Sequence, residues 1–297
     1  MLLHYYNALP NFGDRLNPWL WPKLLPGCFD ADKSTVFLGI GTILQDTLPT
    51  ADRYVVLGSG TGYGRPPALD ERWRFYAVRG PLTAKLLSLP DEIAVTDSAY
   101  LLNQVSLPEP LDGPSIGFMP HWRSLRRVPW PAICEWSGLR FINPMASVER
   151  TLAELRGCDI VIAEAMHGAI TADLLRVPWF PVRLGSHFLD FKWRDWLASI
   201  EVSCDALPLT PMDPWCEHQP RDSRAAKAAR QAVNVFSYYV RSIPLVSELR
   251  TLRRALEQKQ RPTFLSSDRV FADRTSTLAT RLDALRQALC PSPSQTR

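Results

Sequence analysis

The stretch IVIAEAMHGAITADLLRVPWFPV, residues 160–182, decides how the chain is read. Ile160–Ala163 is a short run without a polar residue, the mark of a strand buried on both faces. Gly168–Leu175 follows as a helix, and Trp179–Val182 is a second apolar run. Strand, helix and strand in so short a span make a βαβ crossover, which needs a parallel sheet. Glu164-Ala165-Met166-His167-Gly168 lies where the first strand hands over to the helix. Open α/β sheets bind ligands beyond the carboxyl ends of their strands. His167 is therefore expected at the start of a helix, against such a crevice. A histidine there can move protons near neutral pH, or can simply be a packing residue.

The same pattern extends outward. Ile116–Met119 and Leu139–Ile142 are strand runs, Ser147–Arg156 is a Ser-capped helix, and Phe188–Ile200 is helical and aromatic. Pro120-His121-Trp122 ends the Ile116–Met119 strand, so His121 stands at a strand end equivalent to that of His167. Upstream, SLPEPLDGP (106–114) is rich in Pro and breaks the pattern. Before it come strand runs at Leu2–Tyr6, Val36–Ile40, Tyr54–Leu57, Phe75–Val78 and Ile93–Thr96. Helices are expected near Asn17–Leu25 and from Pro81 through Leu89, Pro81 suiting a first helical turn. The fold class is α/β, with two Rossmann-like lobes (1–110 and 111–220) facing a cleft. A helical C-terminal extension covers 221–297.

The chain has 297 residues, 46% of them hydrophobic and ten of them tryptophan, which excludes disordered and fibrous classes. No apolar run approaches the ~18–20 residues that cross a bilayer. The N-terminus, MLLHYYNALPNFGD, lacks the basic region and long apolar stretch of a signal peptide, so a cytoplasmic chain is expected. The six cysteines are scattered and never form a CxxC pair, so reduced thiols and no metal site are expected. The net charge of +4 hides an asymmetry. From Arg221 onward there are 15 Lys and Arg against 6 Asp and Glu, whereas the first 220 residues carry 19 against 24. An acidic body carries a basic appendage.

Further candidates lie at other strand ends. Asn11-Phe12-Gly13-Asp14 follows the first strand: Gly13 lets a ligand approach the backbone, and Asp14 can accept from a hydroxyl or cap the helix. Gly58-Ser59-Gly60-Thr61-Gly62-Tyr63-Gly64 can form an anion nest or a plain tight turn, and it is neither a Walker loop nor a dinucleotide fingerprint. Arg79 precedes a helix N-terminus, where its charge and the helix dipole both favour an anion; a surface arginine is the alternative. Asp97 ends the Ile93–Thr96 run as a cap or a hydroxyl acceptor. Past the last strand, Arg183, His187, Lys192, Trp193, Arg194, Asp195 and Trp196 form a cationic and aromatic group. It can bind an anion and a sugar ring, or its tryptophans can pack inward.

Taken in order, these segments resemble the polysaccharide pyruvyl transferase family, in its bacterial exopolysaccharide branch. The resemblance rests on NFGD (11–14), LGIGTIL (38–44), the glycine loop (58–64), AVRGPLTA (77–84) and VTD (95–97). It continues through MPHW (119–122), INP (142–144), EAMHGAITADLLRVPW (164–179) and KWRDW (192–196). The family implies a glycosyltransferase-B-like pair of lobes. It also implies transfer of the enolpyruvyl group of phosphoenolpyruvate to a sugar, giving a pyruvate ketal and phosphate, with no cofactor and no metal. On that resemblance His167 is the general acid that protonates the methylene carbon. Arg79 is the first donor ligand, with His121, Arg183, Lys192 and Gly168 beside it. Asn11, Gly13, Asp14, Gly58, Ser59, Gly60 and Asp97 would face the acceptor. Many relatives carry an arginine two residues before the histidine; here it is Ala165, so the donor's charge must be met by other cations.

The expected acceptor is a lipid-linked oligosaccharide or polysaccharide, and no nucleic-acid partner is expected. In the tail, Leu245, Leu249, Leu252 and Leu256 run beside Arg250, Arg253 and Arg254. Such a helix can attach the protein to the inner face of the cytoplasmic membrane. Alternatively it packs across the lobes and leaves its basic face to solvent. Two other functions fit parts of the pattern: a sugar-nucleotide glycosyltransferase on the same fold, and a non-catalytic scaffold of a polysaccharide-synthesis complex.

Overall fold

The described residues form nine strands in two parallel sheets. The computed structural model describes residues 1–125, 127–185, 189–210 and 235–289. His187 and the 220/221 boundary between second lobe and tail lie outside the described residues.

The first sheet holds β1 (Leu2–His4), β2 (Thr35–Leu38), β3 (Arg53–Ser59) and β4 (Trp73–Val78), side by side in chain order. Helix α1 (Phe12–Leu24) joins β1 to β2. It starts earlier than expected because Asn11 caps it, its side chain accepting from the Gly13 N–H at 3.1 Å. The next two crossovers, 39–52 and 60–72, contain no helix. Alternation of strand and helix is therefore incomplete in this lobe. After β4 come α2 (Pro81–Leu86) and two 3-10 helices, Asp91–Ile93 and Ser98–Gln104. The expected strand at Ile93–Thr96 is reduced to a single bridge between Val78 and Ala94.

The second sheet has the order β6 (Arg140–Phe141), β5 (Ile116–Met119), β7 (Ile160–Ala163), β8 (Trp179–Arg183), β9 (Leu207–Pro208). Renumbered from its first strand this is 2-1-3-4-5, the doubly wound order whose direction reverses between β5 and β7. Helices α3 (Trp122–Leu125) and α4 (Trp130–Ser137) follow β5, and α5 (Val148–Arg156) follows β6. Ser147 caps α5 as its sequence indicates, accepting from the Arg150 N–H. Helix α6 (Met166–Leu174) joins β7 to β8, and α7 (Asp190–Ser199) follows β8.

One apolar core runs through both sheets: Phe12, Leu16 and Trp21 of α1 belong to the same cluster as Met119, Ala163, Ile170 and Trp196. The tail completes it. Helix α8 (Val235–Glu257) buries Leu245, Leu249, Leu252 and Leu256 with Phe118, Trp130, Ile133 and Phe180 of the second lobe. Helix α9 (Asp268–Leu289) inserts Val270, Leu278, Leu282 and Leu285 into the core cluster that spans both sheets. Of the two alternatives for the leucine stripe, a membrane surface or packing against the lobes, the described residues show packing. No helix among the described residues is long and apolar enough to cross a membrane.

Candidate active site

A cavity of about 290 Å³ opens where the carboxyl ends of the two sheets face each other. The first lobe contributes Asn11, Gly13 and Asp14 after β1, Thr42 and Gln45 after β2, and Tyr63 after β3. The second contributes His121, Trp122 and Arg123 after β5, Pro144 after β6, and Ala165, Met166 and His167 after β7, with Lys192 from α7. The β5 and β7 segments sit at the reversal of strand order, where this topology leaves a crevice. The lobes touch directly beside it, because the Phe12 N–H donates to the Pro144 carbonyl at 2.7 Å. That contact joins the NFGD and INP segments.

His167 sits in the first turn of α6 and is held on two sides. Its ring lies over α1, so that a Cβ on Gly13 would stand 2.1 Å from Nδ1. Its Nε2 lies 3.6 Å from Oδ2 of Asp97, which is fully buried. The other carboxylate oxygen of Asp97 accepts from the Ala99 N–H at 3.0 Å and caps the 98–104 turn. Asp97 therefore stands behind the imidazole and does not reach the cavity wall.

Asp14 shares the cavity with His167. Burial pushes its carboxyl up to about 6, against the opposing attraction of His167 and Lys192. Asn11 donates to it from the helix cap. Lys192, nearly buried, reaches the Tyr63 hydroxyl at 3.2 Å, with its ammonium 5.4 Å from that ring's centre. Arg123 lies exposed at the rim, 5.2 Å from the centre of the Trp122 ring. Glu164, beside the position lacking the arginine, turns away from the cavity. Its carboxylate accepts from the His121 N–H at 2.8 Å and the Ser124 hydroxyl at 2.6 Å, capping the turn into α3.

Several other expected ligands make contacts within the protein. Arg79 is fully buried, and its guanidinium donates to Asp195 (3.0 Å), the Thr42 hydroxyl (2.7 Å) and the Thr61 carbonyl (2.7 Å). Asp195 also accepts from the Thr83 N–H at 2.9 Å and so supplies the cap that Gly80 cannot give to α2. The arginine's charge is satisfied within the protein, directly behind the cavity wall at Thr42. The glycine loop makes room for this assembly: a Cβ on Gly60 would meet Arg79, and one on Gly58 would meet Ser98. Ser59 is buried and donates to the Gly39 carbonyl. Gly168 packs against Met119, and Arg183 is an exposed residue at the end of β8. Arg79, Gly58, Ser59, Gly60, Gly168 and Arg183 do not line the cavity.

Sequence reasoning passed over Arg123 and Tyr63. Each was signalled by position: Arg123 directly follows MPHW at a strand end, and Tyr63 is the one aromatic residue in the glycine loop. Among the described residues no group of three or more His, Cys, Asp or Glu could hold a metal ion.

Residues 9–186 match the polysaccharide pyruvyl transferase family. The chain belongs to that family. The matched region contains every cavity segment except Tyr6 at one edge and Lys192 at the other. Among curated proteins the chain is 39% identical over 199 residues to the succinoglycan biosynthesis protein ExoV of Rhizobium meliloti (strain 1021). That match spans 65% of this chain and 62% of the relative, so somewhat over a third of the relative lies outside it. No solved structure matches the chain.

Proposed function

We propose that this pyruvyl transferase moves the enolpyruvyl group of phosphoenolpyruvate onto two hydroxyls of a sugar in a lipid-linked exopolysaccharide repeat unit. The single observation carrying this reading is the seating of His167 between Asp97 and Gly13, next to Asp14, at the carboxyl ends of both sheets. The family match and the similarity to a succinoglycan biosynthesis protein support the substrate class. The paired sheets, each offering its strand ends to one cavity, are read as a glycosyltransferase-B-like pair of lobes.

In this reading the imidazolium of His167 gives its Nδ1 proton to the methylene carbon of the donor, leaving positive charge at C2. A sugar hydroxyl adds to C2 and passes its proton to the Asp14 carboxylate. The bond from C2 to the phosphate oxygen then breaks, and Asp14 returns the proton to the departing phosphate. The second hydroxyl closes the ketal and reprotonates His167, so the protons balance. A carboxyl near 6 suits a group that must take and return a proton at neutral pH.

Among the described residues, Lys192 and Arg123 offer cations at the cavity for the donor's carboxylate and phosphate, in place of the arginine replaced by Ala165. Trp122 and Tyr63 offer faces on which a sugar ring can stack. No step needs a metal or a bound cofactor. The lipid-linked acceptor would bring the enzyme to the cytoplasmic face of the membrane without use of the buried leucines of α8.

The test supplies the purified protein with phosphoenolpyruvate and a lipid-linked oligosaccharide extract, and follows phosphate release and the mass of the acceptor. Phosphate release that depends on the acceptor, with a gain in acceptor mass matching a pyruvate ketal, is expected. Turnover of nucleotide sugars in its place would overturn the reading.

A further inference from the structure

We infer that Asp97 is the positioning residue for His167, fixing the imidazole so that Nε2 faces the carboxylate and Nδ1 faces the substrate. The inference rests on the reading of His167 as the acid, and it goes beyond the cap or hydroxyl acceptor that the sequence suggested for Asp97.

Two buried polar atoms carry it. Oδ2 of Asp97 and Nε2 of His167 each have no hydrogen-bond partner, yet they lie 3.6 Å apart. Buried polar atoms without partners are rare, and two of opposite kind facing each other mark a pair that closes when the site is loaded. The carboxylate is itself anchored, since Oδ1 holds the Ala99 N–H and the side chain is fully buried. It cannot swing away from the ring without losing that bond.

The second anchor is Gly13. With α1 pressed to the ring at Gly13 and Asp97 at Nε2, the imidazole has little freedom to rotate. An imidazole whose inner nitrogen donates to a carboxylate keeps one tautomer, with the other nitrogen turned to the substrate. Asp97 comes from the first lobe and His167 from the second, so the acid is set in place only when the lobes are packed together.

The charged and titratable groups facing the ring are Asp97 behind it, Asp14 on α1, and His121 and Lys192 elsewhere on the cavity wall. Of these, Asp97 alone is within 4 Å of an imidazole nitrogen as an ion pair.

The experiment compares the full chain with Asp97→Asn and Asp97→Ser, each of which keeps an oxygen to cap the Ala99 N–H. For turnover of phosphoenolpyruvate, kcat is expected to fall at least about 100-fold with KM within about threefold, a split a purely structural loss would not give. An unchanged kcat in a folded variant overturns the inference. Histidine 15N spectra of the wild-type protein at alkaline pH give a second readout that needs no activity, with the His167 signal identified by its loss in His167→Gln. The proton should reside on Nε2 in the wild type and be shared between nitrogens in Asp97→Asn. A wild-type ring protonated on Nδ1 would equally refute the pairing. If the wild type turns over no phosphoenolpyruvate, the functional reading fails, while the spectrum still judges the pair.

Discussion

The imidazole of His167 occupies the space that a side chain at Gly13 would fill, so α1 and α6 meet at a glycine because the ring lies between them. Gly13→Ala should push the ring away from its seat by an ångström or more, since the added methyl would stand 2.1 Å from Nδ1. Displacement on that scale costs catalysis heavily while leaving the core packed, roughly 100-fold in rate. The check is kcat for phosphoenolpyruvate alongside thermal melting. A variant with full turnover would show that the ring's position does not matter.

Arg79 is expected to govern stability ahead of donor affinity. Its pair with Asp195 is fully buried and also caps α2 through Thr83. Removing one partner of a buried ion pair leaves the other charge unsatisfied, at a cost of about 3–5 kcal/mol. Arg79→Ala should therefore unfold at much lower urea concentration. Wild-type stability together with a tenfold rise in KM for phosphoenolpyruvate would instead return Arg79 to the donor site.

Both contacts show how far the sequence could be read. Ile116–Met119 and Ile160–Ala163 are strands at their expected bounds, because four apolar residues buried on both faces need no distant partner to be recognised. The positions of His167 and Asp14 on the cavity wall were legible from their place after strands. The internal pairing of Arg79 was not, since Asp195 lies 116 residues away on another lobe. A charge before a helix looks the same whether it meets a ligand or an internal carboxylate. The packing of the glycine loop was hidden for a related reason: its open backbone is filled by Arg79 and Ser98, which only the folded chain brings there. Ile93–Thr96 has a strand's composition, but the chain turns after Val78 and allows it a single bridge.

Asp14 gives a stability that depends on pH. Its carboxyl titrates near 6 in the folded protein, above the ordinary value of about 3.9, because burial disfavours the charge. The folded state thus binds this proton more tightly than the unfolded chain does. The penalty is absent below about pH 4 and grows as pH rises through 6, reaching an upper bound of about 3 kcal/mol. Asp14→Asn should be more stable than the wild type at pH 8 and about equal to it near pH 4, while losing turnover. Urea unfolding at the two pH values decides it. An equal difference at both would rule out a buried, titrating carboxyl.

The tail carries the last expectation. Leu249 is fully buried among Phe118, Trp130 and Ile133, so it belongs to the second lobe's core as much as any strand residue. Truncating it to alanine should cost about 2–5 kcal/mol. Leu249→Asp would bury an unpaired charge and should leave little folded protein. Were the stripe instead a membrane surface, both variants would melt like the wild type and differ only in binding to anionic lipid vesicles. Melting curves and vesicle flotation on the same samples separate these outcomes. Loss of folding without loss of specific vesicle binding is expected, because the leucines hold α8 to the second sheet.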